Sequence, residues 1–120
     1  MPGSSPKSQL PLTPAVLYIL LALADAERHG YAIARAVEEA YSGDVRMGPG
    51  TLYGSIQRML RSSLIEEVPA RRRPADDDER RRYYRITTFG RRVLDLELQR
   101  LGRLIRVAHD KRLLGGPGVA

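Results

Sequence analysis

The stretch GPGTLYGSIQRMLRSSLIEEV, Gly48 to Val68, offers hydrogen-bond donors at helical spacing and no acid before Glu66. Projected at about 100° per residue, Gly50, Gly54, Gln57, Arg58 and Arg61 gather opposite Leu52 and Ile56, with Thr51 on one flank and Tyr53 on the other. Guanidinium groups donate to phosphate or to guanine edges, and Gln exchanges two hydrogen bonds with adenine. A residue without a side chain lets the helix backbone approach closely. The chemistry these types allow is recognition of a polyanion, not bond making. Each residue alone has a plainer explanation. An exposed Arg is usually only solvated, Gly54 can relieve crowding against a neighbouring helix, and Pro49 and Gly50 suit helix initiation. Their coincidence on one face is what favours contact.

Other chemistries find little support. The chain has no Cys, which excludes disulfides and thiolate metal sites and fits a reducing cytoplasm. Its histidines, His29 and His109, fall in separate elements without metal-ligand spacing, and no nucleophile motif, phosphate loop or paired acid accompanies them. We therefore expect no enzyme, metal or cofactor, with His29 at a helix start and His109 solvated. The formal charge of +6 and pI of 10.2 suit an anionic partner. All basic residues except Lys7 and Lys111 are Arg, a bias that phosphate recognition and genomic base composition explain equally well. The longest apolar run, Ala15 to Ala24, is short of the roughly twenty residues that span a bilayer and lacks the flanks of a secretory signal. No membrane partner is expected.

These donors need elements to position them. Residues 1–12, rich in Pro, Ser and Gly, read as a flexible arm whose Lys7 can brush a phosphate. Thr13 and Pro14 open a first helix in which Val16, Leu17, Ile19, Leu20, Leu21 and Leu23 point almost all round, placing it centrally in the core. A turn at His29 and Gly30 leads to a second helix with Ile33, Ala34, Val37, Ala40 and Tyr41 on one stripe and Gly43 as its stop. Gly48 and Pro49 start the third helix, whose core face is Leu52, Ile56, Met59 and Leu60. Two extended pieces, EEVPARRR and RRRYYRIT, flank PADDDE as a β-hairpin, with Tyr84 and Ile86 on one face and Tyr83 and Arg85 on the other. One ring of the Tyr83 and Tyr84 pair should rest on the core.

After Thr87, a good N-cap, a helix from about Thr88 to Leu113 carries Leu94, Leu98, Leu101, Ile105 and Ala108 in a heptad-like seam widened by Val93, Leu104 and Val107. At about 1.5 Å per residue it outruns a domain of this size, so a second copy of the chain is the simplest cover for the stripe. The order of elements predicts an α+β, mainly α fold, a winged helix-turn-helix with a long C-terminal dimerisation helix. Its parts are an arm at 1–12, a DNA-binding domain at 13–86, the dimerisation helix at 87–114 and a disordered tail at 115–120. In such folds the second helix of the pair enters the major groove and the hairpin reaches the backbone beside it.

At these residues the chain resembles the PadR family of transcriptional regulators. The resemblance rests on HGY at His29 to Tyr31, PGTLY at Pro49 to Tyr53, LIEE at Leu64 to Glu67, and RRRYYRIT followed by Gly90, over roughly Leu12 to Leu114. It implies a homodimer that binds an inverted-repeat operator in double-stranded DNA and usually represses transcription. It also implies a recognition helix at Pro49 to Ser62, a role for Tyr31, and a wing at Arg71 to Arg85. Two departures stand out: Gly54 where such proteins often carry Pro, and the acids Asp76, Asp77, Asp78 and Glu79 at a wing tip that is commonly glycine-rich and basic.

The wing stems, through Arg71, Arg72, Arg73, Arg80, Arg81 and Arg82, are therefore expected to meet DNA in place of the apex. Tyr31 has two readings, a hydroxyl donating to phosphate and a ring packed on the first helix, and we expect both. Paired long helices would hold the recognition helices about 34 Å apart. A small-molecule effector that changed their angle would weaken binding without touching the DNA face. The rival to a DNA-binding regulator is a winged-helix interaction module for protein or RNA, since the fold does not fix the partner.

Overall fold

The computed structural model describes residues 5–69 and 81–114. A 3-10 helix, Pro6–Gln9, precedes α1 (Pro14–Leu23), β1 (Arg28–His29), α2 (Gly30–Ala40), α3 (Pro49–Arg61), β2 (Ile65–Glu67), β3 (Tyr83–Ile86) and α4 (Thr88–Asp110). Local chemistry sets the helix starts. The Thr13 hydroxyl accepts from the Val16 N–H at 3.3 Å, with Pro14 in the first helical position. His29 caps α2 by accepting from the Ala32 N–H through Nδ1 at 3.2 Å. Gly48 and Pro49 open α3, and Thr87 caps α4 by accepting from the Gly90 N–H at 2.9 Å. The chain leaves α2 through Ser42 and Gly43 at φ of 53° and 82°, where the Gly43 N–H donates to the Glu38 carbonyl at 2.8 Å.

Ile19, Leu20 and Leu23 of α1 meet Ile33, Leu52, Ile56, Met59, Ile65, Tyr84 and Val93 in one core. Burying each large apolar side chain there contributes about 1.5–3 kcal/mol. α3 thus turns one face inward and leaves the other to solvent. The sheet is antiparallel with β3 in the middle, pairing Ile65 with Ile86, Glu66 with Arg85 and Glu67 with Tyr84 on one side, and Arg28 with Tyr84 on the other. As expected, Tyr84 is buried and Tyr83 lies on the other face, its ring edge-on to His29 at 5.2 Å.

Several expectations change. β1 is an added third strand. The segment read as a flexible arm is, from Ser5 to Leu12, laid along the protomer: Leu10 and Leu12 pack against the core, and the Leu12 N–H donates to Glu97 Oε2 at 2.8 Å. Leu94 leaves the expected dimerisation seam, because it is 3% exposed and spends its apolar surface on the protomer's own core. Leu21 of α1 and Ala40 of α2 are exposed, and Tyr41 sets its ring 5.0 Å from that of Tyr18. Among the described residues β2 ends at Glu67 and β3 begins at Tyr83, and Arg71, Arg72, Arg73, Arg80, the acids Asp76 to Glu79 and the tail at 115–120 lie outside the described residues.

Candidate nucleic-acid interface

α3 buries Leu52, Ser55, Ile56 and Met59 and exposes Pro49, Gly50, Thr51, Tyr53, Gln57, Arg58 and Arg61, with Gly54 half-buried between them. The helix runs unbroken through Gly54. Among the described residues, nothing crowds the place of a side chain at either glycine on this face. A Cβ on Gly50 would meet nothing within 4 Å, and one on Gly54 would meet only Arg58 Nη1, at 3.9 Å. The crowding explanation for Gly54 therefore fails. Arg58 Nη2 donates to the Ser55 hydroxyl at 3.3 Å, which steadies the guanidinium along the exposed face.

Gly30 differs from both. A Cβ there would fall 2.6 Å from the Tyr53 hydroxyl oxygen and 2.8 Å from ring carbon Cε1, so the start of α2 fits beneath the Tyr53 ring because Gly30 has no side chain. The HGY and TLY stretches, distant in sequence, meet at that contact. Beside it opens a cleft of about 240 Å³ lined by Tyr31, Tyr53, Arg81 and Arg82 among others. The fold therefore brings the described wing arginines to the starts of both helices.

Tyr31 is 61% exposed, so its ring is not packed on α1. The half of the expectation that had it packing there is corrected, because its partners are on its own side of the protein. Its ring is parallel to that of His29 at 6.3 Å, and its hydroxyl accepts from Arg35 Nη1 at 3.2 Å. That hydrogen bond is the main influence raising the Arg35 pKa above its already high ordinary value. On the wing, Arg85 Nε donates to Glu66 at 2.8 Å, Arg82 approaches Glu67 at 3.4 Å, and Arg81 Nη1 lies 3.5 Å from His29 Nε2. Arg82 and Arg85 partly neutralise the acids of β2, a balance that charge counting along the sequence does not show.

Sequence reasoning passed over Arg35, although Tyr31, Arg35 and Glu39 follow one another at helical spacing. It also passed over Glu97, fully buried on α4 and bound by Arg100 Nε at 2.6 Å as well as by Leu12. Arg100 chiefly, then Leu12, holds the Glu97 carboxyl below the usual carboxylate range, against the upward push of burial. Further along α4, Leu98, Leu104 and Ile105 are exposed while Leu101 and Ala108 are half-buried.

Among the described residues no group of three or more His, Cys, Asp or Glu could hold a metal ion, and no helix is long and apolar enough to cross a membrane. The model of the transcriptional regulator PadR-like family matches residues 19–96. An uncharacterised 37.1 kDa protein in transposon TN4556 of Streptomyces fradiae is 39% identical over 92 residues, 75% of this chain; the match spans only 24% of that protein's length. A transcriptional regulator from Clostridium thermocellum superposes with a TM-score of 0.67 at 21% identity, over 80% of this chain and 87% of its own. A PadR family transcription regulator from Clostridium difficile gives 0.67 at 22% identity, over 82% and 97%. These two show the fold, and the family match carries the rest. With its helix pair, three-stranded wing sheet and long α4, the chain belongs to the PadR-like family of transcriptional regulators.

Proposed function

We propose that the chain is a cytoplasmic repressor that binds an inverted-repeat operator as a homodimer, reading each half-site with the exposed face of α3. The observation that carries this reading is that Gly50 and Gly54 stand beside the exposed Gln57, Arg58 and Arg61 although no described residue crowds the place of their missing side chains. A duplex edge does need them bare, because each added Cβ would push the helix backbone away from the bases. The exposed Leu98, Leu104, Ile105 and Val107 of α4 support pairing through that helix, which sets the spacing of the two readers. An effector that changed the angle between paired α4 helices would draw the readers off their half-sites.

The test begins with selection of bound fragments from genomic DNA and footprinting of the winner. Gly54→Ala should then separate two effects. The helix should gain up to about 1 kcal/mol of stability, since Ala is the better helix former, while affinity for the selected operator falls. Gain of stability with operator affinity intact would remove α3 from the DNA interface. Arg58→Ala should reduce binding to the operator more than to random duplex, whereas Arg82→Ala should reduce both alike.

A further inference from the structure

α2 carries a group of side chains that the α3 reading does not use. Arg35 Nη1 donates to the Tyr31 hydroxyl at 3.2 Å, and the Arg35 guanidinium carbon stands 5.9 Å from the centroid of the Tyr31 ring. One helical turn on, Arg35 Nη2 lies 3.8 Å from Glu39 Oε2, with the two side chains 55% and 70% exposed. Since the Tyr31 oxygen accepts from Arg35, its own O–H is left to donate outward. Arg35 adds N–H donors in a plane beside it. The pair therefore offers two kinds of donor to one acceptor-rich group, the geometry that suits a phosphate. Glu39 offers the reverse: a carboxylate on the other amino group of the same guanidinium, where it competes with an incoming phosphate for that donor.

The position also suits the backbone of a duplex. Tyr31, Arg35 and Glu39 line a groove of about 320 Å³ along α2, together with Arg28 and Arg81. Tyr31 and Arg81 also line the cleft at the start of α3. The groove thus continues directly from the recognition helix, on the helix that in helix-turn-helix proteins crosses the sugar-phosphate backbone.

We propose that Tyr31 and Arg35 form a phosphate clamp on duplex DNA, and that Glu39 occupies Arg35 in the free protein until a backbone phosphate displaces it. This rests on the operator-binding reading above. The clamp supplies affinity without sequence preference, and Glu39 tempers that affinity so that random duplex is held less tightly. Exchange of an exposed carboxylate for a phosphate is feasible because the Arg35 to Glu39 ion pair is solvated and screened.

The experiment measures binding of wild type, Arg35→Ala, Tyr31→Phe, the double variant and Glu39→Gln to the selected operator and to random duplex over a range of KCl. Arg35→Ala should weaken both by roughly three- to tenfold and reduce the slope of log affinity against log salt by about one. Tyr31→Phe should weaken binding with the slope unchanged, and the double variant should lose less than the product of the single losses, because the two groups act on one phosphate. Glu39→Gln should strengthen binding, most of all to random duplex and at low salt. An unchanged slope for Arg35→Ala, or no gain from Glu39→Gln, would overturn the clamp while leaving operator binding intact. Failure of the wild type to bind any duplex would overturn both, so the two readings fail separately. All three side chains changed lie on the solvent face of α2, and coincident melting curves would show that folding is not what is being read.

Discussion

Two glycines show what a single hydrogen in place of a methyl group decides. At Gly90 an added Cβ would fall on the Leu64 carbonyl oxygen, with the carbonyl carbon at 2.9 Å and the Ile86 side chain at 3.1 Å. Backbone cannot swing aside, so α4 would have to separate from the turn after α3. Gly90→Ala should therefore cost at least the ~1–3 kcal/mol typical of overpacking, measured as a lower urea midpoint at unchanged slope. At Gly30 the obstacle is the Tyr53 ring, which is 48% exposed and free to rotate outward. Gly30→Ala should leave the urea midpoint nearly unchanged yet weaken DNA binding, since the displaced ring stands at the start of the recognition helix. Equal loss of stability in both variants would contradict this division between a structural and an interfacial glycine.

Among elements, the contact between the N-terminal segment and α4 turns on one carboxylate. Glu97 is buried, accepts from the Leu12 N–H and is paired with Arg100, so the folded chain holds its proton less tightly than the unfolded chain does. A depressed carboxylate contributes stability that is complete above its unfolded pKa and is lost as pH falls through the lower folded value. The wild type should therefore lose stability on acidification in that range, and Glu97→Gln should flatten the profile there. A superimposable pH profile for the two proteins, followed by thermal melting, would mean that folding does not alter how tightly Glu97 holds its proton. Thr87 is the other hinge between elements. Its hydroxyl accepts from the Gly90 N–H at 2.9 Å and donates to the Ser63 carbonyl at 2.6 Å, joining the cap of α4 to the exit of α3. Thr87→Ala should cost about 0.5–2 kcal/mol, with Thr87→Ser recovering most of the loss in the same denaturation assay.

For the whole molecule, α4 divides into two jobs along its length. Val93 and Leu94 belong to the protomer core, whereas Leu98, Leu104 and Ile105 are 40–54% exposed and have apolar surface left to cover. If pairing of α4 covers them, Leu104→Glu should shift sedimentation toward the single subunit and weaken operator binding by well over tenfold, because each half-site would then be bound alone. Leu94→Ala should instead lower the stability of the subunit by about 2–5 kcal/mol and leave the association of folded chains unaltered. Sedimentation of Leu104→Glu identical to wild type would place the dimer contact elsewhere.

Sequence by itself determined the parts governed by neighbours a few residues apart. The caps at Thr13, Gly48 and Thr87, the apolar repeats of α1 to α4, and the alternation of Tyr83 and Tyr84 all follow from helical and strand periods, and together they were enough to order a winged helix-turn-helix. Tertiary structure decided whatever depended on partners far along the chain. β1 is only Arg28 and His29, too short for any pattern, and exists because β3 offers them an edge. Leu94 reads as seam and is core, since periodicity gives the side of a helix that is apolar but not what covers each turn. Leu10 and Leu12 likewise settle on the core, where Glu97, 85 residues beyond Leu12, supplies the acceptor for the Leu12 N–H. And Gly30, Gly54 and Gly90 are the same letter with three different burdens, which only the atoms standing around each one distinguish.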